Sequence, residues 1–215
     1  MTARTVLDLG LYVVTDRDLA RGRSHQEVAA AAFAGGANVV QLRDKSVQAR
    51  ELCAIASEIQ ALATQAGALL IINDRVDVAL AVDADGVHVG QDDLPAAAAR
   101  RLLGPDKVLG VSVENGAQAR QAEADGADYV AIGPIYEARG TKGDAGPPVG
   151  PQAIAEMRRH TRLPVVAIGG IKAQHVAEAV RAGADGLAVV SAVVAAPDIE
   201  AAARELKRRI EETRG

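Results

Sequence analysis

Short apolar, mostly β-branched runs recur along the chain, and each is followed by a longer stretch with helical spacing of apolar residues. The pattern predicts eight strands, at Leu11–Thr15, Val39–Arg43, Leu69–Asn73, Gly86–Val89, Val108–Val111, Tyr129–Ile132, Val165–Ile168 and Gly186–Val190. It predicts helices at His25–Ala34, Arg50–Gln65, Pro95–Leu103, Ala117–Ala124, Pro151–His160, Lys172–Ala182 and Ile199–Glu212. Alternating strands and helices indicate βαβ units and a parallel sheet.

A short motif recurs where a predicted helix ends and the next strand begins. It reads Gly-Ala-Asn/Asp at positions 36–38, 126–128 and 183–185, with a weaker copy at 83–85. Glycine can adopt the left-handed conformation that ends a helix, and alanine allows a close turn into the strand. Internal duplication and convergence on the same loop chemistry both explain the motif. In either case it marks the face of the sheet opposite the functional one.

Eight strands in 215 residues favour a closed barrel over an open doubly wound sheet. An open sheet would carry a Gly-x-Gly-x-x-Gly turn after its first strand, whereas here Thr15 is followed by Asp-Arg-Asp. We therefore predict an α/β fold with a single (β/α)₈ TIM barrel that spans residues 1–215 as one domain. Residues 133–150 contain five glycines and three prolines, and a loop of this kind is often an active-site lid.

Composition narrows the class of partner. The net charge is −4 and aromatic residues make up 2% of the chain, so neither a basic footprint nor a stacking surface for nucleic acid is indicated. No apolar run reaches 18 residues and no signal peptide is indicated, which argues against a membrane anchor or export. The lone Cys53 fits a reducing compartment, so we expect a cytoplasmic protein. The sequence does not fix the oligomeric state.

Polar side chains follow the second, third and fourth strands. Gln41, Arg43 and Lys45 alternate at the end of the second strand, and two cations beside an amide suit a diphosphate. Asp74 follows the third strand, and Asp92 and Asp93 follow the fourth. Paired carboxylates beside a diphosphate site suggest Mg²⁺, although aspartate is also a good helix N-cap.

The last two strands end in a different pattern. Ile168-Gly169-Gly170 ends the seventh strand, and Val190-Ser191 ends the eighth. The loops after strands 7 and 8 form the common phosphate site of barrels, in which backbone N–H groups are the donors. The sequence therefore predicts two anion sites at one barrel mouth, which suggests an enzyme that joins two phosphorylated substrates with loss of diphosphate. His88 is either a contact to an aromatic ligand or a satisfied core histidine.

Taken together and in this order, the motifs resemble the thiamine phosphate synthase family from about Leu11 to Ser191. The motifs are Gln41-Leu42-Arg43-Asp44-Lys45, Asn73-Asp74-Arg75, Gly86-Val87-His88-Val89-Gly90-Gln91-Asp92-Asp93, Gly110-Val111-Ser112, Gly133-Pro134-Ile135-Tyr136, Thr141-Lys142, Ile168-Gly169-Gly170-Ile171 and Val190-Ser191. The resemblance implies a transferase of thiamine biosynthesis. Its expected reaction condenses aminopyrimidine methyl diphosphate with hydroxyethylthiazole phosphate, by way of a pyrimidine methyl cation, to thiamine phosphate and diphosphate.

The resemblance also implies roles for residues. Those expected to bind the pyrimidine diphosphate are Gln41, Arg43, Lys45, Asn73, Ser112 and Lys142, of which Arg43, Lys45, Ser112 and Lys142 would act in catalysis. Asp74 and Asp93 would hold Mg²⁺, which leaves Asp92 to cap the next helix. Those expected at the thiazole phosphate are Gly170, Val190 and Ser191, helped by Arg139, Gly140 and Thr141.

One segment departs from the family pattern. The family loop reads like Thr-x-Thr-Lys, whereas here residues 137–142 read Glu-Ala-Arg-Gly-Thr-Lys, without the first threonine. The segment is one residue longer than the family loop, so its thiazole contacts are expected within one residue of the family positions. Two other functions are possible: a thiazole tautomerase of the same barrel family, and a non-catalytic protein that binds thiamine precursors. The tautomerase does not need the diphosphate and metal set of Lys45, Asn73-Asp74 and Asp93. The intact cation and carboxylate clusters also argue against the non-catalytic protein.

Overall fold

The computed structural model describes residues 7–137 and 146–215, and their eight strands form one closed parallel barrel in sequence order. The strands are β1 (Leu11–Val14), β2 (Val39–Leu42), β3 (Leu69–Asn73), β4 (Gly86–Val89), β5 (Val108–Ser112), β6 (Tyr129–Ile132), β7 (Val165–Ile168) and β8 (Gly186–Val189). β1 pairs with β8 in parallel register and closes the ring. The predicted (β/α)₈ TIM barrel is confirmed.

Helices follow the strands around the outside of the barrel. They are α1 (His25–Ala34), α2 (Ala49–Ala66), α3 (Val76–Ala81), α4 (Ala96–Leu103), α5 (Gly116–Ala124), α6 (Gln152–Arg158), α7 (Val176–Arg181), α8 (Ser191–Val194) and α9 (Ile199–Arg214), with a 3₁₀ turn at Ala173–His175 before α7. Among the described residues, no helix is long and apolar enough to cross a membrane.

The apolar core has two parts, separated by the barrel wall. The larger part lies between the strands and the helices, where small alanines such as Ala32 and Ala203 let the helices pack closely. The smaller part fills the barrel interior and includes Leu9, Val39 and Ile71 beside two tyrosines. Because alternate strand residues point inward and outward, most strands contribute to both parts.

The repeated Gly-Ala-Asn/Asp motif lies at the amino ends of the even-numbered strands, as predicted. Its glycines at 36, 126 and 183 have φ values of +89°, +88° and +103°, and Asp83 in the weaker copy has +53°. The Asn or Asp side chain of each copy then accepts a hydrogen bond from a backbone N–H of the preceding odd-numbered strand. The four pairs are Leu11–Asn38, Leu70–Asp85, Leu109–Asp128 and Val165–Asp185, at 2.8–2.9 Å. The motif therefore joins strand pairs at the bottom of the barrel.

The predicted elements match within one or two residues at their ends, but α3 and α8 were missed. These helices have six and four residues, too few to show a helical period. The predicted helix at Lys172–Ala182 is a 3₁₀ turn followed by α7.

The expectation that Asp92 caps the next helix is wrong. That helix, α4, begins at Ala96 with Pro95 as its N-cap residue, and no side chain caps it. Asp92 is exposed, and the Asp93 carboxylate turns back to accept the Gly90 N–H at 2.7 Å. The turn after β4 thus closes on itself three residues before the helix, and it keeps Asp93 at the barrel mouth.

Candidate active site

A cavity of about 420 Å³ opens at the carboxyl ends of the strands. Nine of the residues predicted to bind substrate or metal line it: Gln41, Arg43, Lys45, Asn73, Asp93, Ser112, Gly170, Val190 and Ser191. Asp74 lies next to these residues, with a carboxylate oxygen 3.5 Å from the Lys45 ammonium nitrogen. The predicted loop residues Arg139, Gly140, Thr141 and Lys142 lie outside the described residues.

Arg43 is positioned by a series of hydrogen-bonded, buried polar groups at the ends of β1 and β2. Its backbone N–H donates to the Thr15 hydroxyl oxygen at 3.1 Å, and Thr15 is fully buried. One ring nitrogen of His25 lies 2.9 Å from the same hydroxyl, and the other lies 3.0 Å from Asp44. These bonds fix the backbone from which the Arg43 side chain enters the cavity.

Asp44 is the last acceptor in this series of hydrogen bonds. Its side chain is 2% exposed, and it also accepts the Ser46 N–H at 2.8 Å and meets the Arg17 guanidinium at 2.9 Å. Burial alone would raise the pKa of the Asp44 carboxyl, but hydrogen bonds from Ser46 and His25, together with Arg17, hold that pKa well below its ordinary value. Asp44 is therefore a fixed anion that supports the site from beneath.

The two cations at the end of β2 face carboxylates across short gaps. The Arg43 guanidinium lies 3.6 Å from Asp16, and both side chains are mostly buried. Lys45 reaches Asp74 from the more exposed side, with 63% of its side chain accessible. Neither ion pair has the short bidentate geometry of a strong salt bridge, so an incoming diphosphate could take over both cations.

Asp74 and Asp93 form a close carboxylate pair. Burial raises the pKa of the Asp74 carboxyl, and the neighbouring Asp93 raises it further, while Lys45 acts in the opposite direction. Asp74 also has a φ of +60°, in the left-handed region that residues with a Cβ seldom adopt. Two crowded, partly desolvated carboxylates are a place where a bound cation would remove repulsion.

The donor set fits Mg²⁺ better than a softer metal. Within residues 7–137 and 146–215, no group of three or more His, Cys, Asp or Glu side chains could hold a metal. Mg²⁺ uses oxygen ligands and is commonly held by one or two carboxylates together with substrate phosphates. The Asp74–Asp93 pair beside Arg43 and Lys45 has that composition.

The opposite side of the mouth is built from glycine. Gly169 and Gly170 have φ values of +96° and +66°. A Cβ on Gly170 would lie 2.6 Å from the Glu137 carbonyl oxygen, and a Cβ on Gly169 would lie 2.5 Å from Pro134. Only glycine fits both turns, and the resulting loop exposes backbone rather than side chains to the cavity next to Ser191.

The two described ends of the Gly/Pro-rich segment are held together over this side. The Ile135 and Tyr136 N–H groups donate to the carbonyls of Ile168 and Gly169 at 2.9 and 3.0 Å. The Val149 and Gly150 N–H groups donate in turn to the carbonyls of Pro134 and Ile135, at 2.9 and 3.0 Å. The base of the segment is thus fixed to the end of β7, beside the predicted phosphate site.

Two tyrosines in the barrel floor were not predicted as part of the site. Tyr12 of β1 and Tyr129 of β6 are buried, and their hydroxyls are 2.9 Å apart. Gln41 donates to Tyr12 at 2.7 Å, whereas His88 lies 2.9 Å from both the Tyr129 hydroxyl and the Ser112 hydroxyl. His88 therefore lines the cavity and is also satisfied by core partners. Both tyrosines could have been identified from the sequence. Each is an aromatic residue with a polar hydroxyl inside an otherwise apolar strand, and a buried hydroxyl usually has a hydrogen-bond partner.

The chain is similar to known proteins along nearly its whole length. Residues 11–193 match the family model for thiamine monophosphate synthase. The chain is 55% identical to a thiamine-phosphate synthase of Chloroflexus aurantiacus over 99% of this chain and 98% of the relative, and 50% identical to one of Moorella thermoacetica over 95% and 97%.

Solved structures agree as well. A thiamine phosphate pyrophosphorylase from Pyrococcus furiosus superposes with a TM-score of 0.89 at 38% identity, covering 97% of this chain and 98% of that one. A 3-hexulose-6-phosphate synthase, at 19% identity and a TM-score of 0.73 over 93% of this chain and 99% of that one, shares the fold. The family match over residues 11–193 and the near-complete coverage of the relatives lead to one conclusion: the chain belongs to the thiamine-phosphate synthase family of transferases.

Proposed function

We propose that this cavity joins aminopyrimidine methyl diphosphate to hydroxyethylthiazole phosphate and releases thiamine phosphate and diphosphate. The observation that carries the proposal is one mouth lined by two unlike sets of residues, each of which suits an anion. Arg43 and Lys45 stand beside the Asp74–Asp93 pair on one side, and the glycine loop and Ser191 form the other side. One phosphorylated substrate needs only one such site, whereas a condensation of two needs both.

The diphosphate side supplies charge stabilisation. Arg43 and Lys45 bind the diphosphate and stabilise the negative charge that develops on it as the bond to the pyrimidine methylene carbon breaks and the electron pair leaves with oxygen. Mg²⁺ bound to Asp74 and Asp93 would neutralise further charge on the phosphates. Gln41, Asn73 and Ser112 line the same side and hold the pyrimidine end in place.

The phosphate side supplies orientation. Backbone N–H groups near Gly170 and Val190, with the Ser191 hydroxyl, bind the thiazole phosphate and hold the thiazole nitrogen towards the pyrimidine methylene carbon. The nitrogen lone pair then forms the new C–N bond, so no nucleophile from the protein is used. Residues 133–150 act as a lid that excludes water from the methyl cation, and Arg139, Gly140, Thr141 and Lys142 complete the site from that lid.

Both substrates are small molecules, and the proposed setting for the reaction is the cytoplasm. The partners expected from composition, with neither nucleic acid nor membrane among them, remain predictions. The same holds for the organisation of residues 1–215 as one domain with one active-site loop.

The test is an assay with both substrates and Mg²⁺ that follows thiamine phosphate and diphosphate. Arg43→Gln should lower kcat by about 10²–10³, the usual effect of removing one transition-state stabiliser. Arg101→Gln, at an exposed arginine of α4 outside the cavity, is the matched control and should leave kcat unchanged. If the wild-type protein forms no thiamine phosphate but interconverts thiazole phosphate isomers, the site is a tautomerase instead.

A further inference from the structure

The floor of the cavity contains a hydrogen-bonded series that crosses the barrel from β2 to β5. It runs from Gln41 through Tyr12, Tyr129 and His88 to Ser112, with heavy-atom distances of 2.7–2.9 Å at all four steps. The first four residues are at most 8% exposed. The two ends reach the cavity, and both are residues proposed to hold the pyrimidine.

The packing of the floor is specific for this arrangement. The His88 and Tyr129 rings are stacked, with centroids 5.5 Å apart and an interplanar angle of 29°. Gly110 of β5 lies directly against them, and a Cβ at that position would overlap the Tyr129 ring and its hydroxyl and approach the His88 ring. The absence of a side chain at Gly110 is therefore what allows the tyrosine and the histidine to meet.

The series has a direction, because each member has a limited number of protons. Burial raises the pKa of both the Tyr12 and the Tyr129 phenols, so each keeps its single proton. Tyr12 accepts from the Gln41 amide nitrogen, which can only donate. Among the described residues, the Tyr129 oxygen is then the remaining polar partner for the Tyr12 proton.

The direction passes on through the ring of the histidine. If Tyr12 donates to Tyr129, the Tyr129 proton goes to Nδ1 of His88, which must accept it. A neutral His88 then carries its proton on Nε2 and donates it to the Ser112 oxygen. Every buried donor has an acceptor in this order, and the hydroxyl proton of Ser112 is left to face the cavity.

We propose that Tyr12, Tyr129 and His88 are positioning residues of a directed relay that gives the cavity an acceptor at Gln41 and a donor at Ser112. The proposal rests on the proposed function, since it specifies which hydrogen bonds recognise the pyrimidine. The exocyclic amino group of an aminopyrimidine would donate to the Gln41 amide oxygen. A ring nitrogen or a diphosphate oxygen would accept from Ser112.

The direct test is the tautomer of His88 in the free wild-type protein, measured by NMR with ¹⁵N-labelled histidine. The chain has four histidines, and His88→Gln assigns the signal. His160→Gln, at a histidine of the outer surface paired with Glu156, is the control and should leave the His88 signal unchanged. The relay predicts a proton on Nε2. A proton on Nδ1 would mean that the Gln41 amide has the opposite orientation and every bond is reversed, which overturns the proposal.

A double-mutant cycle tests whether the relay acts as a unit. Ser112→Ala and Tyr129→Phe should each raise KM for the pyrimidine diphosphate roughly five- to tenfold, the usual effect of one hydrogen bond. The double variant should have a KM well below the product of the two single effects, because both changes act on the donor at Ser112. Multiplying effects would indicate independent structural roles and would contradict the relay. If Tyr129→Phe does not fold, the His88 tautomer of the wild-type protein still tests the relay.

These experiments separate the relay from the function on which it rests. The tautomer is measured without substrate. An Nε2 proton in a protein that forms no thiamine phosphate would retain the relay and reject the proposed function, whereas an Nδ1 proton in an active protein would reject the relay alone.

Discussion

The lowered pKa of the Asp44 carboxyl links this single residue to the stability of the fold. Because its folded-state pKa is lowered, Asp44 contributes stability above its unfolded pKa of about 4, and this contribution is lost as the pH falls towards the folded pKa. His25 and Thr15 transmit the position of Asp44 to the Arg43 backbone. Loss of the carboxylate should therefore affect both folding and the diphosphate site.

Asp44→Asn should lower the free energy of unfolding by about 1–3 kcal/mol at pH 7, because hydrogen bonds to a buried charge are lost. The difference in the free energy of unfolding between the variant and wild type should become smaller between about pH 5 and pH 2. Over this range the wild-type protein loses the contribution of the Asp44 carboxylate, which the variant lacks at every pH. Urea unfolding over this range measures it. Asp106→Asn, at an exposed aspartate after α4, is the control. A difference that stays constant with pH would contradict the role assigned to Asp44.

Asp74 and Asp93 predict a response to metal that can be measured without turnover. In the presence of inorganic diphosphate, Mg²⁺ at ten times its Kd should stabilise the protein by about 1.4 kcal/mol, or roughly 3–6 °C in Tm. Asp74→Asn and Asp93→Asn should abolish the shift because a carboxylate ligand is removed. Asp77→Asn, at an exposed aspartate paired with Arg75, should retain it. A full Mg²⁺ shift in both ligand variants would rule out this pair as the metal site.

At the scale of elements, the β7–α7 loop combines backbone strain with close approach. Gly170 has a φ of +66°, and its missing side chain leaves room for the carbonyls of Tyr136 and Glu137. Gly67, which ends α2, has nearly the same φ of +64°, but no other atom lies within 4 Å of a Cβ built there. The two glycines separate the effect of strain from the effect of contact.

Gly170→Ala should raise KM for the thiazole phosphate at least tenfold, because the methyl group displaces the base of the Gly/Pro-rich segment from the phosphate site. Gly67→Ala should cost about 1 kcal/mol of stability from strain alone, with no change in KM. Steady-state kinetics with the thiazole phosphate varied, and thermal unfolding of both variants, measure the two effects. Equal KM values in the two variants would show that contact at Gly170 does not matter.

Elements with a clear period were predictable from sequence, whereas tertiary position was not. The observed strands and the six longest helices of the described residues agree with the predicted ones. Their hydrophobic period extends over several residues, or a glycine marks the end of the element. α3 and α8 are too short for a period, and their helical form comes from packing against the barrel. The cap expected at Asp92 failed because Asp93 closes a turn onto Gly90 before the helix starts.

At the scale of the whole molecule, the barrel brings residues that are far apart in sequence to one mouth. The carboxyl-end rule for barrels predicted that Gln41 and Ser191 would meet, and the family resemblance added Ser112. All three line one cavity. The sequence did not predict the relay in the floor. Tyr12 and Tyr129 are 117 positions apart, and their contact depends on barrel closure and on the space left at Gly110.

The central claim is that one mouth binds two phosphorylated substrates and joins them. The most direct measurement is ³¹P NMR of the wild-type protein with both substrates and Mg²⁺, which follows diphosphate and thiamine phosphate in one vessel. The account predicts that both products appear at equal rates in a one-to-one ratio, and that diphosphate release without thiazole phosphate is far slower. Diphosphate released at the full rate without thiazole phosphate, or no diphosphate at all, would contradict it.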